Sequence, residues 1–233
     1  MFLIASFCYA MSIFIDIFSY HLKCNIHDNT NVRYLFSLIN IFQFSARAFV
    51  LVFIPIMAYY TETVRNIDKV WEITLYAHIF VVLLLMPLYS RKFSIFFSIK
   101  IIAILNFIFG KSKALNLTQL ENNKLPSLND ENGSDLKKIY FFLISYFSGF
   151  FFSFSITFLY YLSFYYPQKA LTLTSYSQIL NMFGVLLLIL LIDPKIMSSI
   201  DKGRGHFELK LLTTSRIFVH ITLIFILFVL KWI

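Results

Sequence analysis

The sequence predicts an all-α, polytopic integral membrane protein with about six transmembrane helices, and composition and hydropathy carry that prediction. Of 233 residues, 59% are hydrophobic and only 14% are charged, against roughly 25% charged residues in a typical soluble domain. The mean hydropathy is +0.75, and six stretches approach the roughly 20 apolar residues that a helix needs to cross a bilayer. A soluble fold of this size has too little interior to bury so much apolar surface, so we exclude an ordinary soluble domain.

Each predicted span is bounded by polar residues, by proline or by aromatic side chains that favour the membrane interface. The prolines at 87, 167 and 194 mark span ends, whereas Pro55 lies inside the second span and predicts a kink there. The whole chain, 1–233, is expected to be a single membrane domain. In chain order, we expect spans at 2–22, 34–60, 71–89, 139–164, 174–192 and 211–232.

The apolar segment 93–109 is ambiguous because it contains Lys100 and Asn106. It is either a seventh span or a helix that lies in the membrane interface. With six spans, fourteen Lys and Arg residues fall on one side and four on the other, whereas seven spans give eleven against six. The positive-inside rule therefore favours six spans, with an interfacial helix between the third and the fourth.

The same rule predicts the orientation in the membrane. Both termini are expected outside, and loops 23–33, 90–138 and 193–210 are expected in the cytoplasm. Within 90–138, an interfacial helix is followed by a polar loop. Most of the net charge of +8 thus reports orientation and contact with anionic membrane lipids.

Motifs for cofactor chemistry are absent from the sequence. Gly110-Lys111-Ser112 lacks the upstream glycine of a phosphate-binding loop, because position 105 is Leu. The five histidines and two cysteines have no zinc-type spacing. We therefore predict no cofactor, no metal and no nucleic-acid partner.

The sharpest polar feature inside a span is Arg47, at the midpoint of the second span. A central Arg costs at least ~2.5–3.5 kcal/mol on insertion scales, so we expect it to face a partner or a water-filled cavity. Asp16 is the expected counter-charge, and an ion pair that only fixes helix packing is the alternative to a substrate-binding role. Arg216 enters the sixth span near its cytoplasmic end, where snorkelling to the headgroups is the other interpretation.

Other polar side chains recur at helical spacing in the spans and so share helix faces. Interhelical hydrogen bonding is the alternative interpretation for the amides, and a satisfied interior residue is the alternative for His78 and His220. Small residues four apart in the fourth span are interpreted as close helix packing: Ser145, Gly149, Ser153 and Thr157. The candidate substrate-binding residues are Arg47, Arg216, Asp16, Asn40, Gln43, Tyr20, His220, Gln178 and Asn181.

The order and spacing of several short motifs resemble the lipid II flippase Amj family of bacterial inner-membrane proteins. The resemblance is firm over 12–55 and 172–220, and it departs at Val219 and His220, where the family has small residues. The motifs are Asp16 with Tyr20, Ser37-Leu38-Ile39-Asn40-Ile41, Arg47 eight residues before Pro55, Asp193-Pro194 with Asp201, and Ser215-Arg216.

The resemblance implies a non-enzymatic flippase that moves lipid II, the undecaprenyl-pyrophosphate-linked peptidoglycan precursor, across the bacterial inner membrane. Its partners are then the undecaprenyl-linked lipid and the surrounding membrane lipids, and no protein partner is indicated. The alternatives are a flippase for another undecaprenyl-linked glycan, a scaffold, and an integral-membrane enzyme. The enzyme would use a polar cluster in the fifth loop, with the candidates Asp193, Asp201, His206 and Glu208.

Overall fold

The computed structural model describes residues 1–25, 32–109, 135–202 and 205–232, and these residues are almost entirely helical, with no β-strand among them. Most of the predicted polar loop falls on 110–134, outside the described residues. The helices are α1 (Phe2–Asn25), α2 (Val32–Ala58), α3 (Ile67–Leu85), α4 (Arg91–Ile108), α5 (Asp135–Tyr165), α6 (Ala170–Leu187), α7 (Asp193–Asp201) and α8 (Gly205–Trp232).

Short turns of other helix types extend four of these helices. A π-helical turn at Tyr59–Thr63 follows α2, and a second at Leu188–Ile192 joins α6 to α7. Turns of 3₁₀-helix at Met86–Tyr89 and Pro167–Lys169 contain prolines that the sequence predicted as span ends. The chain stays helical through Pro55 and through Pro194, so the fifth apolar segment continues past its predicted end.

Six helical segments are long and apolar enough to cross a membrane, which confirms the predicted fold class. Each begins before its predicted span or extends beyond it, because polar residues at the ends continue the helix past the apolar stretch. At α3, for example, the Asn66 side chain caps the helix by accepting from the Lys69 N–H at 3.0 Å. The segments are Phe2–Asn25, Arg33–Thr63, Ile67–Tyr89, Asp135–Tyr165, Pro167–Asp201 and Gly205–Trp232.

Helix α1 is the centre of the bundle. Of its most apolar stretch, 67% is buried inside the protein, against 17% for the segments Arg33–Thr63 and Pro167–Asp201. It packs against α2, α3, α4 and α8, whereas α6 packs mainly against α5. Polar residues on α1 therefore lie inside the protein, where they need polar partners.

Helix α4 is the segment that the sequence predicted to lie in the membrane interface, and it is not one of the six apolar segments. It packs against the last turns of α1 through a polar seam. Asn25 Nδ2 donates to the hydroxyls of Ser94 and Ser98, each at 2.9 Å. His21 Nδ1 lies 3.3 Å from the same Ser94 hydroxyl, so the seam fixes α4 beside the end of α1.

Candidate functional site

Charged and polar side chains converge where α1, α2, α7 and α8 meet. α1 supplies the residues at positions 16, 20 and 23, whose spacing places them on one side of a helix. The other members come from three different helices, so the group exists only in the folded chain. We define this charged cluster as Asp16, Tyr20, Lys23, Gln43, Asp193 and Arg216.

One side of the charged cluster joins α1 to α2 through the Gln43 amide. Gln43 Nε2 donates to Asp16 Oδ1 at 3.0 Å, and Lys23 Nζ donates to Gln43 Oε1 at 3.5 Å. The Lys23 ammonium also lies 5.2 Å from the centroid of the Tyr20 ring, within cation–π range. Asp16, Lys23 and Gln43 are each half-buried, so this side of the cluster is accessible from outside the protein.

The other side of the charged cluster joins α1 to the start of α7. The Tyr20 hydroxyl donates a hydrogen bond to Asp193 Oδ1. Asp193 is the first residue of α7 and directly follows the π-helical turn Leu188–Ile192. Such turns are rare and often occur at functional sites. Tyr20 is fully buried, whereas Asp193 is half-buried.

Arg216 of α8 is the most deeply buried cation of the cluster. It is 5% exposed and interacts electrostatically with Asp16, Tyr20 and Tyr9. Among the described residues, no carboxylate lies within salt-bridge distance of its guanidinium, and its Nε has no hydrogen-bond partner. A buried charge without direct pairing is costly. The unpartnered Nε–H group of Arg216 can donate a hydrogen bond to an anionic ligand.

Gly149 of α5 makes room for the Arg216 side chain. A Cβ atom built on Gly149 would collide with Arg216 Nη1 and would lie 3.0 Å from Cδ and from Cζ. One turn earlier, Ser145 is fully buried, and its hydroxyl has no hydrogen-bond partner in the described part of the chain. The stripe of small residues on α5 thus receives a charged side chain, where the sequence predicted helix packing alone.

A pair of histidines lies one helical turn further along α8. The Nδ1 atoms of His78 on α3 and His220 on α8 are 2.9 Å apart, and both side chains are fully buried. Tyr9 presents its ring edge-on to both, with centroid distances of 5.8 Å to His78 and 6.2 Å to His220. The polar interior therefore continues from the charged cluster, past Arg216 and Tyr9, to this histidine pair.

Arg47 does not pair with Asp16, so that predicted pairing is wrong. Arg47 is exposed on α2, and its guanidinium lies 5.4 Å from the Phe44 ring centroid. Asp16 accepts instead from Gln43, and the described residues contain no ion pair to Arg47. The reason is helical phase, because Arg47 lies away from the apolar face with which α2 packs into the bundle, formed by Leu35, Ile39, Ala46 and Phe53.

The remaining candidates divide between this site and more exposed positions. Asn40 and Gln178 are exposed, on α2 and α6 respectively. Asn181 is half-buried on α6, and its Oδ1 has no hydrogen-bond partner among the described residues. Five predicted residues come together in the charged cluster or directly beside it: Asp16, Tyr20, Gln43, Arg216 and His220.

The prediction omitted Lys23, Asp193 and Tyr9 from the candidate binding residues. The signal for Lys23 was its position three residues after Tyr20 and seven after Asp16, which extends the same helix face beyond the predicted span. Asp193 was noted for its Asp-Pro motif but was assigned to a loop. No pattern around Tyr9 distinguishes it from the many aromatic residues of the spans.

The residues proposed for an enzymatic alternative do not form one described group. Asp193 and Asp201 lie at opposite ends of α7. Glu208 accepts a hydrogen bond from the Ser199 hydroxyl at 2.8 Å, and His206 Nδ1 lies 3.7 Å from the Cys24 sulfur. The described residues contain no group of three or more His, Cys, Asp or Glu that could hold a metal ion.

The charged cluster receives side chains from two peripheral segments, Arg33–Thr63 and Pro167–Asp201. In the described residues, α2 packs mainly against α1 and α6 mainly against α5, and α2 and α6 do not pack extensively against each other. Gln43 reaches α1 from the α2 side, and Asp193 reaches it from the α7 side. Arg47 is exposed on α2, one turn beyond Gln43.

Comparisons with known proteins identify no relative of this chain. No protein-family model matches the chain, and neither a curated protein nor a solved structure matches it significantly. The structure thus establishes an all-α fold with six apolar helical segments that could cross a membrane, and a charged cluster within it.

Proposed function

We propose that this protein is a flippase that moves an anionic, isoprenoid-linked glycan lipid across the bacterial inner membrane. The observation that carries the proposal is the buried Arg216 guanidinium, which has no salt-bridge partner among the described residues. A guanidinium binds phosphate oxygens in a bidentate manner, and such charge-assisted hydrogen bonds are strong. Lipid II is the substrate that the sequence resemblance favours.

In this proposal, a substrate with a polar head and a long apolar tail binds between α2 and α6–α7. The head can enter at the charged cluster, while the tail stays in the lipid beside the exposed apolar side chains on either flank. Phe44 and Leu51 are exposed on α2, and Met182 and Phe183 are exposed on α6. The substrate therefore need not bring its tail through the protein.

Three cations are available to a pyrophosphate in this proposal. Arg216 and Lys23 lie in the cluster, where Asp16 and Asp193 balance their charge, and Arg47 is exposed one turn beyond Gln43 on α2. Moving one negative charge outward across an inside-negative membrane gains ~2.3 kcal/mol per 100 mV. In this proposal the membrane potential is a driving force for transport, since the sequence contains no nucleotide-binding motif.

The test is complementation of a bacterial strain depleted of its lipid II flippases, with membrane insertion of each variant checked in parallel. We expect the unaltered protein to restore growth in full. Arg216→Lys should restore growth in part, and Arg216→Ala should not restore it. Lys231→Ala is the matched control, because Lys231 is a cation on the same helix, 4.0 Å from the Trp71 ring centroid and away from the cluster. It should restore growth.

The outcomes distinguish cargo from mechanism. If the inserted, unaltered protein fails to restore growth, lipid II is not the cargo, and strains defective in flipping other undecaprenyl-linked glycans are tested next. If Arg216→Ala restores growth as well as Lys231→Ala does, the Arg216 mechanism is wrong even though the cargo is right.

A further inference from the structure

The hydrogen bonds of the His78–His220 pair determine which ring nitrogens carry protons. The Thr157 hydroxyl donates its one hydrogen to the Ser153 carbonyl at 2.7 Å. Its oxygen, 3.4 Å from His78 Nε2, therefore accepts from that nitrogen. A neutral His78 that is protonated at Nε2 has a lone pair at Nδ1, so the 2.9 Å bond between the two rings is donated by His220 Nδ1.

This arrangement leaves one proton-accepting atom without a partner. A neutral His220 protonated at Nδ1 has a lone pair on Nε2, and Nε2 is buried without a hydrogen-bond partner among the described residues. A buried polar atom left in this way costs roughly 1–3 kcal/mol. A histidine pair with a purely structural role gains no stability from an unpartnered nitrogen, whereas a proton-binding site requires a nitrogen with a free lone pair.

The charge that faces this site comes from Arg216. Arg216 precedes His220 by one helical turn and interacts with it electrostatically. From α1 the facing titratable group is Tyr9, and from α3 it is His78 itself. From α5, the described side chains around the pair are Ser153, Thr157 and Phe158, none of which titrates. The guanidinium therefore adds to the burial and to the neighbouring His78 in opposing a second positive charge at His220.

We propose that the histidine pair takes up one proton from solvent when an anionic headgroup binds Arg216, so that anion binding and protonation are coupled. An anion at Arg216 cancels the repulsion that opposes an imidazolium one turn away. The proton joins the lone pair of His220 Nε2, and no covalent bond to the ligand forms and no group is oxidised or reduced. By linkage, protonation of the pair strengthens anion binding by the same factor.

This inference rests on the proposed anion-binding function of Arg216, and one calorimetric experiment tests the two separately. Full-length protein in lipid nanodiscs is titrated with undecaprenyl pyrophosphate in buffers of different ionisation enthalpy, which counts the protons taken up per ligand bound. We expect the unaltered protein to take up about one proton more than His220→Gln. Protons taken up by the ligand itself are common to both proteins and cancel in the difference.

His21→Gln is the matched control. His21 is also a buried histidine, and its two ring nitrogens lie 3.2 Å from the Thr213 hydroxyl and 3.3 Å from the Ser94 hydroxyl. It belongs to the seam with α4 and not to the Arg216 site, so this variant should take up as many protons as the unaltered protein.

A second measurement uses the unaltered protein, so it does not depend on the folding of any variant. Nitrogen NMR of ¹⁵N-histidine-labelled protein should show His220 protonated at Nδ1 and His78 at Nε2 before ligand addition. After saturation with undecaprenyl pyrophosphate, His220 should be protonated at both nitrogens. Binding without this change, and without excess proton uptake, overturns the proton inference and leaves the anion site standing. Absence of binding to the unaltered protein overturns the anion site, and with it the coupling.

Discussion

The hydroxyl of Tyr20 donates a hydrogen bond to the carboxylate of Asp193, a residue 173 positions later in the chain. The bond joins the buried centre of the bundle to the first residue of α7, immediately after a π-helical turn. Because Tyr20 and Asp16 lie on one face of α1, the bond also holds the start of α7 beside the charged cluster. Its loss should loosen the site as well as the fold.

We expect Tyr20→Phe to destabilise the protein by ~1–3 kcal/mol, because it leaves the half-buried Asp193 carboxylate without its donor. Asp193→Asn alone should cost less, and the double variant should cost less than the sum of the two. Thermal unfolding in detergent of the four proteins gives the coupling free energy, which should reach at least ~0.5 kcal/mol. Additive losses would show that the bond is absent from the folded protein.

Substitution of Gly149 should reduce transport more than it reduces the stability of the protein. Gly149→Ala places a methyl group against the flexible end of the Arg216 side chain, so the guanidinium must move out of its site. We expect transport to be lost while the thermal midpoint falls only a little. Proteoliposome flipping of a labelled undecaprenyl-pyrophosphate lipid, measured together with thermal unfolding, checks this.

The comparison for that prediction is Gly184 on α6. A Cβ atom there would lie 2.8 Å from the Ser148 carbonyl oxygen and 3.0 Å from the Phe152 backbone nitrogen, and backbone atoms cannot move aside cheaply. Gly184→Ala should therefore lower stability by ~1–3 kcal/mol through overpacking. Equal effects of the two glycine variants on stability would contradict the distinction.

The two arginines inside the spans should contribute unequally to anion binding. Arg216→Ala removes a buried charge-assisted contact worth ~2 kcal/mol or more, which lowers affinity for undecaprenyl pyrophosphate by ~30-fold or more. Arg47→Ala removes an exposed cation, and an exposed charge contributes at most ~1 kcal/mol, which corresponds to a loss of affinity of ~5-fold or less. Binding isotherms in nanodiscs measure both. A larger loss for Arg47→Ala would restore the role that the sequence predicted for it.

Orientation stays a prediction from charge and can be tested by cysteine labelling. In a background in which Cys8 and Cys24 are replaced by Ala, a single cysteine is introduced at Thr63 or at Asp201, both exposed and at opposite ends of the bundle. In intact spheroplasts, a membrane-impermeant maleimide should label Thr63→Cys directly and Asp201→Cys only after permeabilisation. The reverse pattern would invert the topology.

Arg47 and Arg216 show that the burial of a side chain within the bundle could not be predicted from the sequence. Depth in the membrane is a property of position along one helix, so the sequence ranked Arg47 at mid-span above Arg216 near a span end. Burial in the bundle depends on which face of the helix meets its neighbours, and that face is decided by packing. Gly149 on α5 makes room for Arg216, and no spacing within α8 could reveal a glycine on another helix.

The membrane class, the number of apolar helices and the bias of positive charge toward one side of the membrane-spanning region could all be predicted from the amino-acid sequence. Each of these depends on the transfer of one segment at a time from water to lipid, and therefore on local composition. The association of Tyr20 with Asp193 and of His78 with His220, and the exposure of Arg47, required the folded bundle. Lipid is as apolar as the helix surfaces it contacts, so hydrophobicity does not select which polar faces meet. Close packing and interhelical hydrogen bonds between distant segments make that selection.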